Sequence, residues 1–139
     1  MLHLVMKNLL QSKNLRITPF RVSVLSVFKK HKNAIDMAQI EKGLPDFDRI
    51  TLYRTIKTFI ESGLIHEIVM PGDIKKLALC NEECGNENHE HHHQHLHFKC
   101  EKCLEIYCLD LASFPKITYP KFKINSLEIQ GSGICAGCK

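Results

Sequence analysis

His95-Leu96-His97-Phe98-Lys99-Cys100-Glu101-Lys102-Cys103, answered near the chain end by Cys135-Ala136-Gly137-Cys138, decides how the C-terminal half must be built. Two Cys-x-x-Cys pairs separated by residues 104–134 are the ligand set of a closed tetrahedral zinc site. The two-residue gap lets both sulfurs of a knuckle reach one ion, and the long gap ties a hairpin to the chain end. His95 and His97 alternate, so on a strand they share one face. They can therefore serve a second ion rather than compete for the first. One permanent zinc beside one exchangeable metal is the anatomy of a sensor.

N-terminal to this segment the pattern is helical. Leu2, Val5, Met6, Leu9 and Leu10 form the apolar stripe of a helix over residues 2–11. Thr18-Pro19 reads as the N-cap and first position of a second helix, with Val22, Leu25, Val27 and Phe28 on its buried face. Asp36 caps a short third helix that Gly43-Leu44-Pro45 stops. Asp48 opens a fourth, residues 48–62, and Gly63 ends it. The period then changes from 3.6 to 2: residues 64–70 and 75–80 flank the turn Pro71-Gly72-Asp73.

Helices followed by a two-stranded hairpin predict a winged helix-turn-helix, with residues 48–62 as its recognition helix. Strands are expected again over residues 95–99, 105–109 and 122–130, and Pro115 and Pro120 limit any helix between the last two. The expected fold class is α+β: an N-terminal winged helix-turn-helix DNA-binding domain, residues 1–80, and a small α/β metal-binding domain, residues 81–139, with the four-cysteine zinc site.

Composition narrows the function classes. No stretch approaches the ~20 apolar residues needed to cross a bilayer, and the N-terminal segment carries no cleavable signal pattern. The chain is expected to be soluble and cytoplasmic, with no membrane partner. Seven cysteines in a reducing compartment point to metal ligation over disulfides. Residues 1–66 carry eleven Lys/Arg against five Asp/Glu, and residues 67–139 eight against ten, which suggests nucleic acid at one end and metal at the other. Hydrolysis at the histidines would need an open coordination position and a general base, and no His-Glu-x-x-His run is present. The chain is expected not to be an enzyme and to take no small-molecule substrate.

The ordered motifs resemble the ferric uptake regulator (Fur) superfamily over nearly the whole length. Leu15-Arg16-Ile17-Thr18-Pro19-Phe20-Arg21 is similar to its Leu-Lys/Arg-x-Thr-x-x-Arg segment. Thr51-Leu52-Tyr53-Arg54 is similar to its Thr-Val-Tyr-Arg signature, with Gly63-Leu64-Ile65 at the expected distance. His95-x-His97-x-x-Cys100-x-x-Cys103 and Cys135-x-x-Cys138 complete the pattern. The resemblance implies a homodimer, a C-terminal dimerisation domain and metal-dependent binding to a palindromic, A·T-rich double-stranded DNA operator. By that resemblance Tyr53 meets bases in the major groove, Arg54 holds phosphate, and Thr51 and Thr55 touch the DNA backbone. Arg16 reaches a minor groove, and Arg21, Lys13 and Lys57 add phosphate contacts.

The regulatory ligands are where this chain departs from many relatives. The carboxylate that many members carry in a Tyr/Phe-Glu-Leu triplet is absent from Leu77-Ala78-Leu79. Cys80 follows, as in the zinc-sensing (Zur-type) members, and His66 stands after the Gly-Leu-Ile segment, where those members place another ligand. The resemblance therefore implies a regulatory set of His66, Cys80, His95 and His97, beside the structural zinc of Cys100, Cys103, Cys135 and Cys138. Imidazoles with one thiolate suit Zn2+ better than Fe2+ or Mn2+.

A metal joining those residues would fix the angle between the two domains. The bland readings are a surface strand histidine for His66 and a core thiol for Cys80. A further site of the family would need ligands where Gln94, Leu96 and Asn125 stand. Cys108 falls where peroxide- and iron-sensing members place an acidic ligand, and is read as core, with an alternate-ligand role open. His89, His91, His92 and His93, with Glu90 and Cys84, load metal, add a weak third site, or form a solvated loop. The expected function is a zinc-responsive repressor of metal uptake genes, with an iron- or peroxide-responsive repressor as the alternative.

Overall fold

The computed structural model describes residues 2–80 and 95–139. The histidine run 89–93 and Cys84 lie outside those residues. Four helices come first, α1 Leu2–Ser12, α2 Pro19–Lys30, α3 Met37–Gly43 and α4 Arg49–Ser62. Side chains set their starts. Thr18 accepts from the Arg21 N–H at 3.2 Å with Pro19 at the first turn. Asp36 and Gln39 form a reciprocal capping box, and Asp48 accepts from the Thr51 N–H at 2.9 Å and its hydroxyl at 2.8 Å. Gly63 ends α4 at φ 80°, in the left-handed region that a Cβ disfavours. The apolar stripes meet in one core, with Met6, Leu10, Val24, Leu25, Ile40, Leu52 and Phe59 fully buried. Among the described residues no helix is long and apolar enough to cross a membrane.

The hairpin follows directly: β1 Ile65–Met70 pairs antiparallel with β2 Ile74–Leu79, His66 opposite Ala78. Ile35, just ahead of α3, exchanges backbone hydrogen bonds with Leu77 at 2.8 and 2.7 Å, which fastens the wing to the helices. The second sheet has the order β4-β3-β5, from β3 His95–Cys100, β4 Ile106–Asp110 and β5 Ile129–Gly133. β3 is antiparallel to β4 and parallel to β5. The fold is thus the winged helix-turn-helix with a small C-terminal sheet that the sequence led one to expect.

The two parts meet along one seam. Period-2 alternation puts His66, Ile68 and Met70 on one face of β1, and Ile106, Cys108 and Asp110 on one face of β4. Ile68, Met70, Ala78, Ala34 and Ile106 form a second, smaller core there, with Cys108 packed at its edge. Polar contacts among the described residues cross the same seam, including Ala34 N–H to Ile106 O at 3.1 Å, Asn33 Nδ2 to Glu105 Oε2 at 3.4 Å, and Gln130 Nε2 to Val69 O.

One expected strand is misplaced. Regular pairing is absent from residues 123–128 and begins only at Ile129. The alternation of Phe122 and Ile124 looked strand-like, yet both side chains are exposed, and Tyr119–Phe122 closes a turn with Lys121 at φ 67°. β5 forms instead at Ile129–Gly133, where Gly133 lies against the Phe98 ring and Gly131 against Leu96.

The capping box gives a stability test. Burial raises the Asp36 carboxyl, but the Gln39 N–H and the Lys76 ammonium at 3.4 Å outweigh it and hold its pKa below the usual value of 3.8. A depressed carboxylate contributes above its unfolded pKa and loses that contribution as pH falls through its folded one. Asp36→Ala is expected to cost about 1 kcal/mol near neutral pH. The gap between variant and parent in urea unfolding should close as the solution is taken below the ordinary aspartate range.

Candidate metal centres and nucleic-acid face

Cys100 closes β3, Cys103 sits in the turn behind it, and Cys135 and Cys138 follow β5. The parallel β3–β5 pairing, running to Cys100 opposite Gly133, brings the two knuckles together. All four sulfurs lie within 4.8 Å of one another, and Cys103 and Cys135 are 3.9 Å apart. A tetrahedron with Zn–S bonds of 2.3 Å has edges of about 3.8 Å, so the spacing suits that ion. Leu104 at φ 65° reverses the chain after the first knuckle.

Cys100 is fully buried and accepts from the N–H groups of Cys103 at 3.5 Å and Cys135 at 3.4 Å. Those donors push its thiol down to about 6, a thiolate near neutral pH. A hydrogen bond from the Tyr107 hydroxyl likewise lowers Cys135, whereas its neighbour Cys135 pushes Cys138 up to about 12. Four converging sulfurs, with the Cys100 thiol already lowered by its N–H donors, are a donor set that a soft cation would complete.

The second centre lies on the seam. His66 of β1, His97 of β3 and Cys108 of β4 place their donor atoms within 4.8 Å of one another. His66 is the pivot: its Nε2 is 3.6 Å from Cys108 Sγ, and its Nδ1 is 3.3 Å from Cys80 Sγ. The rings of His97 and His95 stack on it at 5.6 and 5.9 Å. His95 Nδ1 stands 2.8 Å from Asp110 Oδ1, its register partner on β4. All three imidazoles are buried, between 7 and 9% exposed. Burial first, then His95, lowers the His97 pKa below 6.5 against a smaller opposing effect of Glu128, so the neutral, ligating form is favoured. Its Nε2 is sealed from solvent and has no hydrogen-bond partner among the described residues. An orphaned, buried imidazole nitrogen beside a thiol and a second imidazole fits a metal.

Measured against the sequence reading, His66 and His97 converge, His95 and Cys80 flank them, and Cys108 joins the group. The alternation Ile106, Cys108, Asp110 was visible in the sequence, but the register that sets Cys108 opposite His97 was not.

On α4 the exposed face carries Arg49, Ile50, Thr51, Tyr53, Arg54 and Lys57. Thr55 is not on that face. It is 7% exposed, its hydroxyl donates to Thr51 O at 2.8 Å, and it lies among Leu52, Ile56 and Phe59. The helical spacing 52, 55, 56, 59 carried that signal. Arg16 is exposed. Arg21 is half-buried and donates from Nη1 to the Arg16 carbonyl at 2.9 Å, which fixes the loop that presents Arg16. Lys13 is half-buried at the end of α1.

Residues 12–131 match the family model described as the Ferric uptake regulator family. The chain is 28% identical over 136 residues to the Ferric uptake regulation protein of Staphylococcus epidermidis, covering 94% of this chain and 91% of that one. It is 27% identical over 137 residues to the protein of the same name in Staphylococcus aureus, with 94% and 93% covered. Its fold is similar to a zinc uptake regulator complexed with zinc and DNA, at TM-score 0.66, 20% identity and coverage of 99% and 92%. It is also similar to the Helicobacter pylori ferric uptake regulator Fur, at TM-score 0.60, 14% identity and coverage of 99% and 93%.

The four-cysteine group generates its own test. After dialysis against a mild chelator, the purified chain is expected to keep one tightly held zinc, by elemental analysis. Cys135→Ser should lose it and unfold at markedly lower urea, because metal binding energy is folding energy for β3–β5.

Proposed function

Because the chain belongs to the ferric uptake regulator family of metal-responsive transcription regulators, we propose that it is a zinc-responsive repressor acting on metal uptake genes. The observation that carries the zinc assignment is the donor set at the seam, imidazoles and sulfur, which suits zinc above the more oxygen-seeking Fe2+ and Mn2+. The structural zinc falls to Cys100, Cys103, Cys135 and Cys138. The regulatory ion falls to the pocket bounded by His66, Cys80, His95 and His97, together with Cys108. Residues 1–80 form the DNA-binding unit and 81–139 the metal-binding and dimerisation unit. Exposed Ile117, Tyr119, Phe122 and Ile124 are what a second copy would cover. The protein acts in the cytoplasm on a palindromic, A·T-rich operator.

The mechanism follows from short connections. Gly63, Leu64 and Ile65 are all that separate α4 from His66. Leu64 N–H bonds to Phe59 O at 2.9 Å and Cys80 N–H to Leu64 O at 2.9 Å, so His66 and the recognition helix turn as one body. His97 and Cys108 belong to the other sheet. When bound, the ion supplies directional bonds that side chains of both parts share. His66 then holds α4 at one angle to the C-terminal sheet, and the two recognition helices of a dimer acquire one spacing. Tyr53 meets base edges, and Arg54, Lys57 and Arg16 neutralise phosphate. Only a ligand that prefers one of two arrangements shifts their balance, and ligands drawn from both parts meet that requirement.

Fe2+ as the regulatory ion is the second reading, favoured by one observation, the Asp110 carboxylate against His95. Fluorescence anisotropy with a duplex pool enriched by the protein itself separates the two. Buffered trace zinc should restore duplex binding to the chelated protein, and anaerobic Fe2+ or Mn2+ should not. Activation by Fe2+ alone would overturn the zinc reading. Arg54→Ala is expected to weaken the zinc-loaded complex by roughly tenfold and to reduce its salt slope by about 1.

A further inference from the structure

The two thiols beside His66 cannot have the same task. An imidazole offers one in-plane lone pair to a cation, from Nδ1 or Nε2 but not from both unless it is fully deprotonated. Cys108 stands at the Nε2 edge and Cys80 at the Nδ1 edge. Among the described residues, His97, whose sealed Nε2 has no hydrogen-bond partner there, lies with Cys108 in one group of donors, and Cys80 is outside that group. A tetrahedral zinc with bonds of 2.0–2.3 Å sets neighbouring N and S ligands about 3.5 Å apart, close to the 3.6 Å between His66 Nε2 and Cys108 Sγ. Ligating histidines characteristically donate their other ring N–H to an acceptor, which fixes tautomer and ring plane. The Nδ1···Sγ distance of 3.3 Å to Cys80 fits that arrangement.

We propose that Cys108 is the thiolate ligand of the regulatory ion, with His66 Nε2 and His97, and that Cys80 is a positioning residue that accepts the His66 Nδ1–H. This rests on the seam being the regulatory metal site. On ligation the Cys108 thiol gives its proton to solvent, and the proton on His66 stays on Nδ1, held by Cys80. The metal preference of the site then resides in β4, in the strand position opposite His97. Cys80, at the end of the wing, governs how firmly the ring is aimed.

The experiment uses the full chain with its tightly held zinc in place and titrates Co2+ into the second site. Parent protein is expected to show a thiolate-to-cobalt charge-transfer band. Cys108→Ser should lose the band. Cys80→Ala should keep it, with Co2+ binding weaker by roughly tenfold. A band that survives Cys108→Ser, or that vanishes in Cys80→Ala, overturns the assignment. A parent chain that takes up no second equivalent of Co2+ overturns instead the reading of the seam as a metal site.

Residue-resolved alkylation of the unaltered chain supplies a check that needs no folded variant. Zinc should protect Cys108 while Cys80 continues to react. Protection of Cys80 with Cys108 still reactive contradicts the proposal.

Discussion

The packing of His66 against His97 and Cys108 is the contact on which the rest of the structure turns. Elsewhere along the seam the described residues of the two parts touch through apolar side chains and polar contacts. The buried imidazoles change the energetics. Sealing polar nitrogens from water costs free energy unless something replaces the lost hydrogen bonds, and the sealed His97 Nε2 has no such partner among the described residues. The closed arrangement is therefore under-satisfied until a cation completes it. On the proposed reading, a seam built this way would be weak when empty and strong when filled, which is what a switch requires.

The two candidate metal groups differ in a way that suits the proposed division of labour. The four cysteines come from one sheet and its C-terminal extension, close around a buried Cys100, and hold β3 and β5 together as part of the fold. The seam group draws on β1, β3 and β4, elements of both parts. Ligands within one sheet favour permanence, because releasing the ion unfolds them. Ligands across a seam favour exchange, because opening the seam exposes the ion without unfolding either side.

Much of this could be read in the chain before any coordinates. Caps at Thr18, Asp36 and Asp48 and the turn at Pro71-Gly72-Asp73 are local, and local chemistry decides them. The cysteine knuckles were legible because two-residue spacing has few other uses. What escaped was set by partners distant in sequence. Residues 122–128 alternate like a strand, but pairing went to Ile129–Gly133, where Phe98 can lie over glycine. Nothing local to Cys108 states its register against β3, so its place opposite His97 is not legible in the sequence. Thr55 is a different case: its helical phase placed it among Leu52, Ile56 and Phe59, and the polarity of its side chain obscured that.

If one equilibrium links the seam to the DNA face, the coupling must run both ways: a duplex that binds better when zinc is present must itself tighten zinc by the same factor. Calorimetric or competition titration of zinc into the chelated protein, with and without saturating duplex, measures this directly. The account requires zinc affinity to rise with duplex present, by the factor seen in the reverse titration, and the rise to disappear in His66→Ala. Zinc affinity indifferent to the duplex would contradict it.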